Sequence, residues 1–94
     1  LTMERIARVV ASHYKLSVDE MKSKNNSRAV AMPRQVAMYL CKRLTKHSFP
    51  EIGREFGGKH HTTVMHSVDK IDALAKEDRN FHKQVNEFID ELCN

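Results

Sequence analysis

The spacing of apolar residues is the feature that most constrains the fold of this chain. Apolar residues recur three or four positions apart, which places them on one face of an α-helix. The clearest runs are Ile6, Val9, Val10, Tyr14; Ala37, Leu40, Cys41, Leu44; Val64, Val68, Ile71, Ala75; and Phe81, Val85, Phe88, Leu92. No segment of useful length alternates apolar and polar residues with the period of two that is typical of a β-strand. We therefore predict an all-α fold.

Residues that cap helix starts divide these runs into six predicted helices. Thr2 precedes the first run, and Ser17 with Glu20 and Ser48 with Glu51 have the three-residue spacing of capping boxes. The other starts are predicted at Pro33, in the first turn of the third helix, at Thr62, the N-cap of a fifth helix running to Glu77, and at Asp78 or Asn80. Residues 22–31 are polar and basic, and we predict a basic loop there.

The length and composition favour one compact domain. Ninety-four residues can bury a single core, and three Gly and two Pro are too few for the turns of an all-β sandwich. No apolar run approaches the roughly 20 residues that cross a bilayer. Because Cys41 lies within an apolar run, we expect no disulfide with Cys93 and a reducing compartment. The first residue stands directly before a helix cap, so we expect this domain to be part of a larger chain.

Positive charge is concentrated in the middle of the sequence. The formal net charge is +4, but residues 22–70 hold ten Lys or Arg against three Asp or Glu. Residues 1–21 are balanced, and residues 71–94 hold three basic against six acidic residues. A basic middle segment favours an anionic partner, and the acidic last helix is expected to face away from it.

Residues 48–77 have the layout of a helix-turn-helix. A short helix is followed by Gly57 and Gly58, which permit a tight turn, and then by a longer helix. The hydrogen-bonding residues that precede the first core position of that helix are Lys59, His60, His61, Thr62 and Thr63. At the start of a recognition helix such side chains contact base edges. His66 and Lys70, further along the same face, suit phosphate contacts.

Several other interpretations fit parts of this pattern. Any helical bundle contains such connections, and Thr62 with Thr63 can be simple caps beside exposed histidines. His61 and His66 are five residues apart, not the four that places two zinc ligands on one helical face, so we expect no metal site. The pair Cys41 and His47 could suggest a thiol nucleophile, but Cys41 is predicted to lie in the core.

Two longer strings carry a family resemblance. SRAVAMPRQVAMYL, at residues 27–40, and HSFPEIGREFGGKHHTTVMHSVDKI, at residues 47–71, resemble the carboxy-terminal DNA-binding domain of the DnaA family of bacterial replication initiators. The resemblance covers nearly the whole chain. It implies a compact bundle of about six helices with a helix-turn-helix of the Trp-repressor-like type. It also implies recognition of the A/T-rich nine-base-pair DnaA box at the replication origin, without enzymatic activity in this domain.

The resemblance assigns roles to individual positions. It implies that His61, Thr62 and Thr63 contact bases in the major groove, and we place Lys59 and His60 with them. The positions where the family contacts the DNA backbone correspond to Thr45, Phe49, Pro50, His66 and Lys70. Two basic positions near them, Arg34 and Lys42, are expected to contact the backbone as well. The family sends a basic arm into the adjacent minor groove at residues 22–28, and the corresponding residues here are Lys24, Asn26 and Arg28.

Two positions depart from the family pattern. The family usually has Arg-Asp before His-Thr-Thr, whereas this chain has Lys59 and His60. A carboxylate accepts a hydrogen bond from cytosine N4, whereas neutral imidazole offers one acceptor nitrogen at most. Asn26 replaces the arginine of the minor-groove arm, so Arg28 or Lys24 takes its place or the arm contributes less. Both departures predict a relaxed or shifted binding site.

The expected partners follow from charge and from the resemblance. Double-stranded DNA is the main expected partner, and regulatory proteins with acidic surfaces are the alternative. A third expected contact is weak binding of acidic phospholipids by Arg5, Arg8 and Lys15 of the first helix. We expect a monomer in isolation. No GxxxxGK[ST] loop occurs, so no cofactor is expected here, and the resemblance implies ATP only in an upstream domain. The expected location is the bacterial cytoplasm, at the nucleoid.

Overall fold

The computed structural model describes residues 1–94 and consists of six α-helices without a strand. The helices are α1 (Met3–His13), α2 (Val18–Met21), α3 (Arg28–Leu44), α4 (Phe49–Glu55), α5 (His61–Glu77) and α6 (Arg79–Cys93). This confirms the predicted all-α fold of about six helices. The helix-turn-helix consists of α4, the turn that follows it, and α5.

Four of the predicted helix starts are confirmed by hydrogen bonds. The side chains of Thr2 and Asp78 accept from backbone amides of α1 and α6. Ser17 and Ser48 both form complete capping boxes, in which the serine oxygen accepts from an amide and a glutamate three residues on accepts from the serine amide. The prediction succeeded here because a capping box depends on local spacing alone.

The start of α3 was predicted incorrectly. The helix begins at Arg28 after the N-cap Ser27, so Pro33 is the sixth residue of α3 and not part of its first turn. Proline lacks the amide that would bond to the carbonyl of Ala29. Because Ala29 is exposed, its carbonyl can bond to water instead. The connection between α2 and α3, called the α2–α3 loop below, therefore covers residues 22–27 and not 22–31.

Helix α3 forms the centre of the bundle. Its residues from Val36 to Cys41 are all buried, and they pack between α1 on one side and α5 on the other. Phe56 and Phe88 are the largest fully buried side chains. Burial, with a smaller effect of Glu55, raises the pKa of the Cys41 thiol to about 12, so the thiol is protonated at neutral pH. This core fixes the position of α5 relative to the rest of the molecule.

The turn after α4 packs directly against the α2–α3 loop. Gly57 and Gly58 both have positive φ angles, of 85° and 77°, which favour glycine. A Cβ atom at Gly57 would also collide with the carbonyl oxygen of Lys22. The ammonium of Lys22 in turn lies 2.9 Å from a carboxylate oxygen of Glu55. The turn and the loop are therefore held together.

Helix α1 contributes its apolar face to the core. Ile6, Ala7 and Val10 are fully buried, which confirms that the apolar stripe predicted for this helix belongs to the core. The Arg5 guanidinium donates to the carbonyls of Glu91 and Leu92 in α6. None of the six helices combines the length and the apolar content that crossing a membrane requires.

Candidate nucleic-acid interface

Helix α5 is capped by a histidine. The N-cap is His60, whose Nδ1 accepts from the backbone amide of Thr62 at 3.2 Å, so the predicted cap at Thr62 is wrong. In the neutral imidazole that carries its proton on Nε2, Nδ1 is an acceptor and can replace the side-chain oxygen of the usual cap residues. The His60 and His61 rings lie 4.4 Å apart between centroids. As a result Thr62 lies within the first turn of α5.

The outward face of α5 carries polar side chains that are free of protein partners. His61, Thr63, His66 and Lys70 are exposed, and none of their side chains makes a hydrogen bond within the protein. Val64, Ser67 and Ile71 hold the opposite face of the helix against the core. The helix has 17 residues and is about 25 Å long, which is enough to cross a major groove about 12 Å wide.

Met65 is a member of this face that the sequence analysis missed. It is 37% exposed and is one of the two large apolar residues of the chain with an exposed side chain. Its place among the polar residues of α5 could have indicated an apolar contact, because it does not belong to the buried stripe that includes Val64 and Ile71. An exposed thioether beside Thr62 suits contact with a thymine methyl group or a deoxyribose.

Arg34 organises the α2–α3 loop and does not face solvent. The residue is 4% exposed, and burial lowers the pKa of its guanidinium. Its nitrogens donate to the carbonyls of Met21 (2.6 Å), Ser23 (2.8 Å) and Asn25 (2.9 Å) and to Oδ1 of Asn26 (3.2 Å). All three of its nitrogens therefore donate within the protein, and contact of Arg34 with the DNA backbone stays a prediction.

Lys59 also supports the loop. Its ammonium donates to the Ser23 carbonyl at 2.9 Å, the same oxygen that accepts from Arg34. Burial lowers the pKa of Lys59, and the positive charges of Arg34 and Lys24 lower it further. Lys59 was predicted to contact bases, but the structure directs it toward the loop. It joins the start of α5 to the α2–α3 loop through one carbonyl oxygen.

Two clefts bring the loop and α5 into one surface. A cavity of about 70 Å³ is lined by Asn26, Arg34, Gln35, Lys59, Thr63 and Ser67, among others. A neighbouring cleft of about 320 Å³ is lined by Asn26, Arg28, Gln35 and Lys70. The amide oxygen of Gln35 is buried there without a hydrogen-bond partner, so it can accept from a donor that enters. The residues predicted for the minor groove and those predicted for the major groove therefore adjoin.

Four of the other predicted backbone contacts lie in or beside the connection between α3 and α4. The Lys42 ammonium lies 4.5 Å from the centre of the Phe49 ring, and it also donates to the His47 carbonyl. The Thr45 hydroxyl donates to a carbonyl of α3, and Pro50 is exposed. All four residues are at least partly exposed, and their contact with DNA stays a prediction.

A strongly acidic carboxyl fixes the start of α4. The Glu51 carboxylate accepts from the backbone amide and hydroxyl of Ser48 and lies 3.2 Å from Nδ1 of His47. These bonds, the backbone bond first, lower the pKa of Glu51 to about 2. The carboxylate is therefore ionised at neutral pH and keeps the first helix of the helix-turn-helix in place.

No cluster of three His, Cys, Asp or Glu side chains has an arrangement that could hold a metal ion. The sulfur of Cys41 is buried in the core, and Cys93 is exposed at the end of α6.

Comparison with known proteins identifies the family. The family described as "Bacterial dnaA protein helix-turn-helix" matches residues 3–71. Proteins named chromosomal replication initiator protein DnaA are 53% identical over 85 residues in Methylobacillus flagellatus, 47% over 90 residues in Dechloromonas aromatica and 49% over 85 residues in Gluconobacter oxydans. These matches cover 90%, 96% and 90% of this chain but 18%, 19% and 18% of the relatives. The chain therefore belongs to the bacterial DnaA helix-turn-helix family.

Proposed function

We propose that this domain binds double-stranded DNA at DnaA-box-type sites of a replication origin and so supports the initiation of replication. The start of α5 enters the major groove, where His61, Thr62 and Thr63 contact bases. The α2–α3 loop lies toward the adjacent minor groove, with Lys24 in the loop and Arg28 at the start of α3 directed there. The relatives are named as chromosomal replication initiators, and family membership supports the same role for the protein that contains this domain.

The observation that carries this proposal is the continuity between α5 and the α2–α3 loop. Lys70 of α5 and Arg28 beside the loop line one cleft, and neither has a carboxylate within 4 Å. Unpaired cations on one surface favour a polyanion, because each phosphate they neutralise releases a condensed counterion. Hydrogen-bonding groups at the start of α5 then supply the contacts to base edges.

Fluorescence anisotropy with two duplexes tests this function. One duplex contains a DnaA box and the other contains the same bases in scrambled order. We expect tighter binding to the first, and a slope of log K against log salt of about −5 if six phosphates are neutralised. Equal affinity for the two duplexes at every salt concentration would contradict sequence-specific binding.

A second candidate function is contact with acidic regulatory proteins. The same unpaired cations favour it, since Lys24, Arg28 and Lys70 have no partner within the chain. Chemical-shift mapping separates the two functions. If DnaA-box DNA moves the amide signals of residues 59–70, the DNA-binding function holds. If it moves none of them while an acidic partner protein does, the interaction function replaces it.

A further inference from the structure

The N-cap of α5 determines which proton the His60 ring carries. Two groups of Thr62 lie within hydrogen-bond distance of Nδ1: the backbone nitrogen at 3.2 Å and the hydroxyl oxygen at 2.7 Å. A backbone N–H can only donate, so Nδ1 must accept. A neutral imidazole whose Nδ1 is an acceptor carries its proton on Nε2. The cap therefore selects the Nε2–H form of the ring.

The remaining hydrogen-bonding group of His60 is then a donor. His60 is exposed, and its ring is held by the cap on one nitrogen and by the His61 ring beside it. A fixed Nε2–H differs from the group that a carboxylate would present at this position. Aspartate would cap the helix with one oxygen and leave the other as an acceptor. The two residues thus offer opposite hydrogen-bonding partners to a ligand.

We propose that His60 is a specificity-determining residue that donates from Nε2–H to an acceptor on a base edge in the major groove. This inference rests on the proposed function and adds which bases His60 prefers at the position it contacts. Guanine offers two acceptors in the major groove, N7 and O6, thymine offers O4 and adenine offers N7. Cytosine offers the N4 donor, which would face another donor. His60 therefore favours guanine, thymine or adenine at the contacted position and disfavours cytosine.

The matched variants His60→Asn and His60→Asp test this proposal. Both are good N-cap residues of nearly equal size, and each can accept from the Thr62 amide. The amide of Asn leaves NH₂ donors free, whereas the carboxylate of Asp leaves an acceptor. Each protein is used to select bound sequences from a pool of randomised duplexes. Competition binding then compares duplexes that differ only at the position affected.

We expect the three proteins to differ at one base position. The wild type and His60→Asn select against cytosine there, whereas His60→Asp selects cytosine or adenine, which carry amino donors. The expected preference in competition binding is about fivefold for a single neutral hydrogen bond. Two-bond ¹H–¹⁵N spectra of the free wild-type domain are expected to show His60 protonated on Nε2.

Two outcomes would overturn the proposal, and they differ from failure of the proposed function. A wild-type motif that is identical in all three proteins would exclude base selection by His60 while DNA recognition stands. A ring protonated on Nδ1 would remove the physical basis of the inference. A wild type that selects no motif at all would contradict the proposed function itself. If circular dichroism shows that His60→Asp is unfolded, the comparison uses His60→Ala, which must lose the preference at that one position.

Discussion

The α2–α3 loop and the start of α5 are both basic in sequence, yet their polar side chains have different tasks. In and around the loop, Arg34 and Lys59 donate to carbonyl groups of the protein. On α5, the side chains of Thr63 and Lys70 have no protein partner. Arg34 and Lys59 therefore stabilise the loop, whereas Lys70 is free to bind a ligand.

This difference limits what a charge count can establish. Ten Lys or Arg in residues 22–70 indicate an anionic partner, but the count includes Arg34, which is 4% exposed. A cation that is buried against backbone carbonyls contributes to shape and not to steering of a ligand. The two groups can be separated by substitutions that affect either folding or binding.

The largest expected effect is on stability, from Arg34→Met. The substitution leaves the carbonyls of Met21, Ser23 and Asn25 without their donor, and we expect a loss of about 3 kcal/mol in the free energy of unfolding. Urea denaturation followed by circular dichroism measures it.

Arg28→Met is the matched control for Arg34→Met. Arg28 is exposed at the start of α3 and makes no side-chain hydrogen bond, so its loss should change stability by less than about 0.5 kcal/mol and weaken DNA binding instead. Equal stability of the two variants would contradict the structural role of Arg34.

Thr63→Ala is expected to have the next largest effect, on binding specificity. Thr63 is exposed in the first turn of α5, where its hydroxyl and methyl can contact a base. The expected cost is about 1 to 3 kcal/mol on the DnaA-box duplex and little on the scrambled duplex. Anisotropy titrations measure both, and an equal loss on the two duplexes would make Thr63 a phosphate contact or a simple helix residue.

Lys70→Gln should weaken binding to both duplexes equally. Its ammonium is expected to neutralise one phosphate, so the slope of log K against log salt should become less steep by about 0.9. Lys83→Gln in α6 removes the same charge from the acidic end of the chain and is the matched control. The same slope change in both variants would indicate a general charge effect and not a contact by α5.

Glu51→Gln is expected to have the smallest effect, on the acid sensitivity of the fold. The pKa of Glu51 is lowered to about 2, so its carboxylate stabilises the folded state above the unfolded pKa of about 4.3. This contribution is lost as the pH falls from about 4.3 toward 2. Thermal unfolding between pH 6 and pH 2 should therefore depend less on pH in the variant. An unchanged pH dependence would contradict the claim that the bonds to Ser48 and His47 lower the pKa of Glu51.

The sequence predicted those features that depend on local spacing. The capping boxes at Ser17 and Ser48 and the glycine turn at Gly57 follow from nearby residues alone, and the structure has all three. The role of Arg34 could not be predicted, because its acceptors lie 8 to 13 residues away and all but one are backbone carbonyls with no sequence signature. The start of α3 was missed because Pro33 indicates the first turn of a helix, whereas α3 continues through it.

The sequence predicted only part of the candidate site, because some of its contacts join residues that are distant in sequence. The cluster at residues 59–63 is evident in the sequence, but the separate role of each residue in it is not. Lys59 turns to the α2–α3 loop because the Ser23 carbonyl lies 2.9 Å from its ammonium, and that proximity depends on the packing of the whole bundle. The cap formed by His60 depends on a ring rotamer, which residue type alone does not specify.

The central claim is that the start of α5 lies in the major groove. Isotope-filtered NOE spectra of the labelled domain bound to an unlabelled DnaA-box duplex test it most directly. We predict NOEs from the methyl groups of Thr62 and Thr63 to thymine methyl and cytosine H5 protons, which lie in the major groove. A saturated complex in which these methyl groups show no NOE to any base proton, while other helices do, would contradict the account.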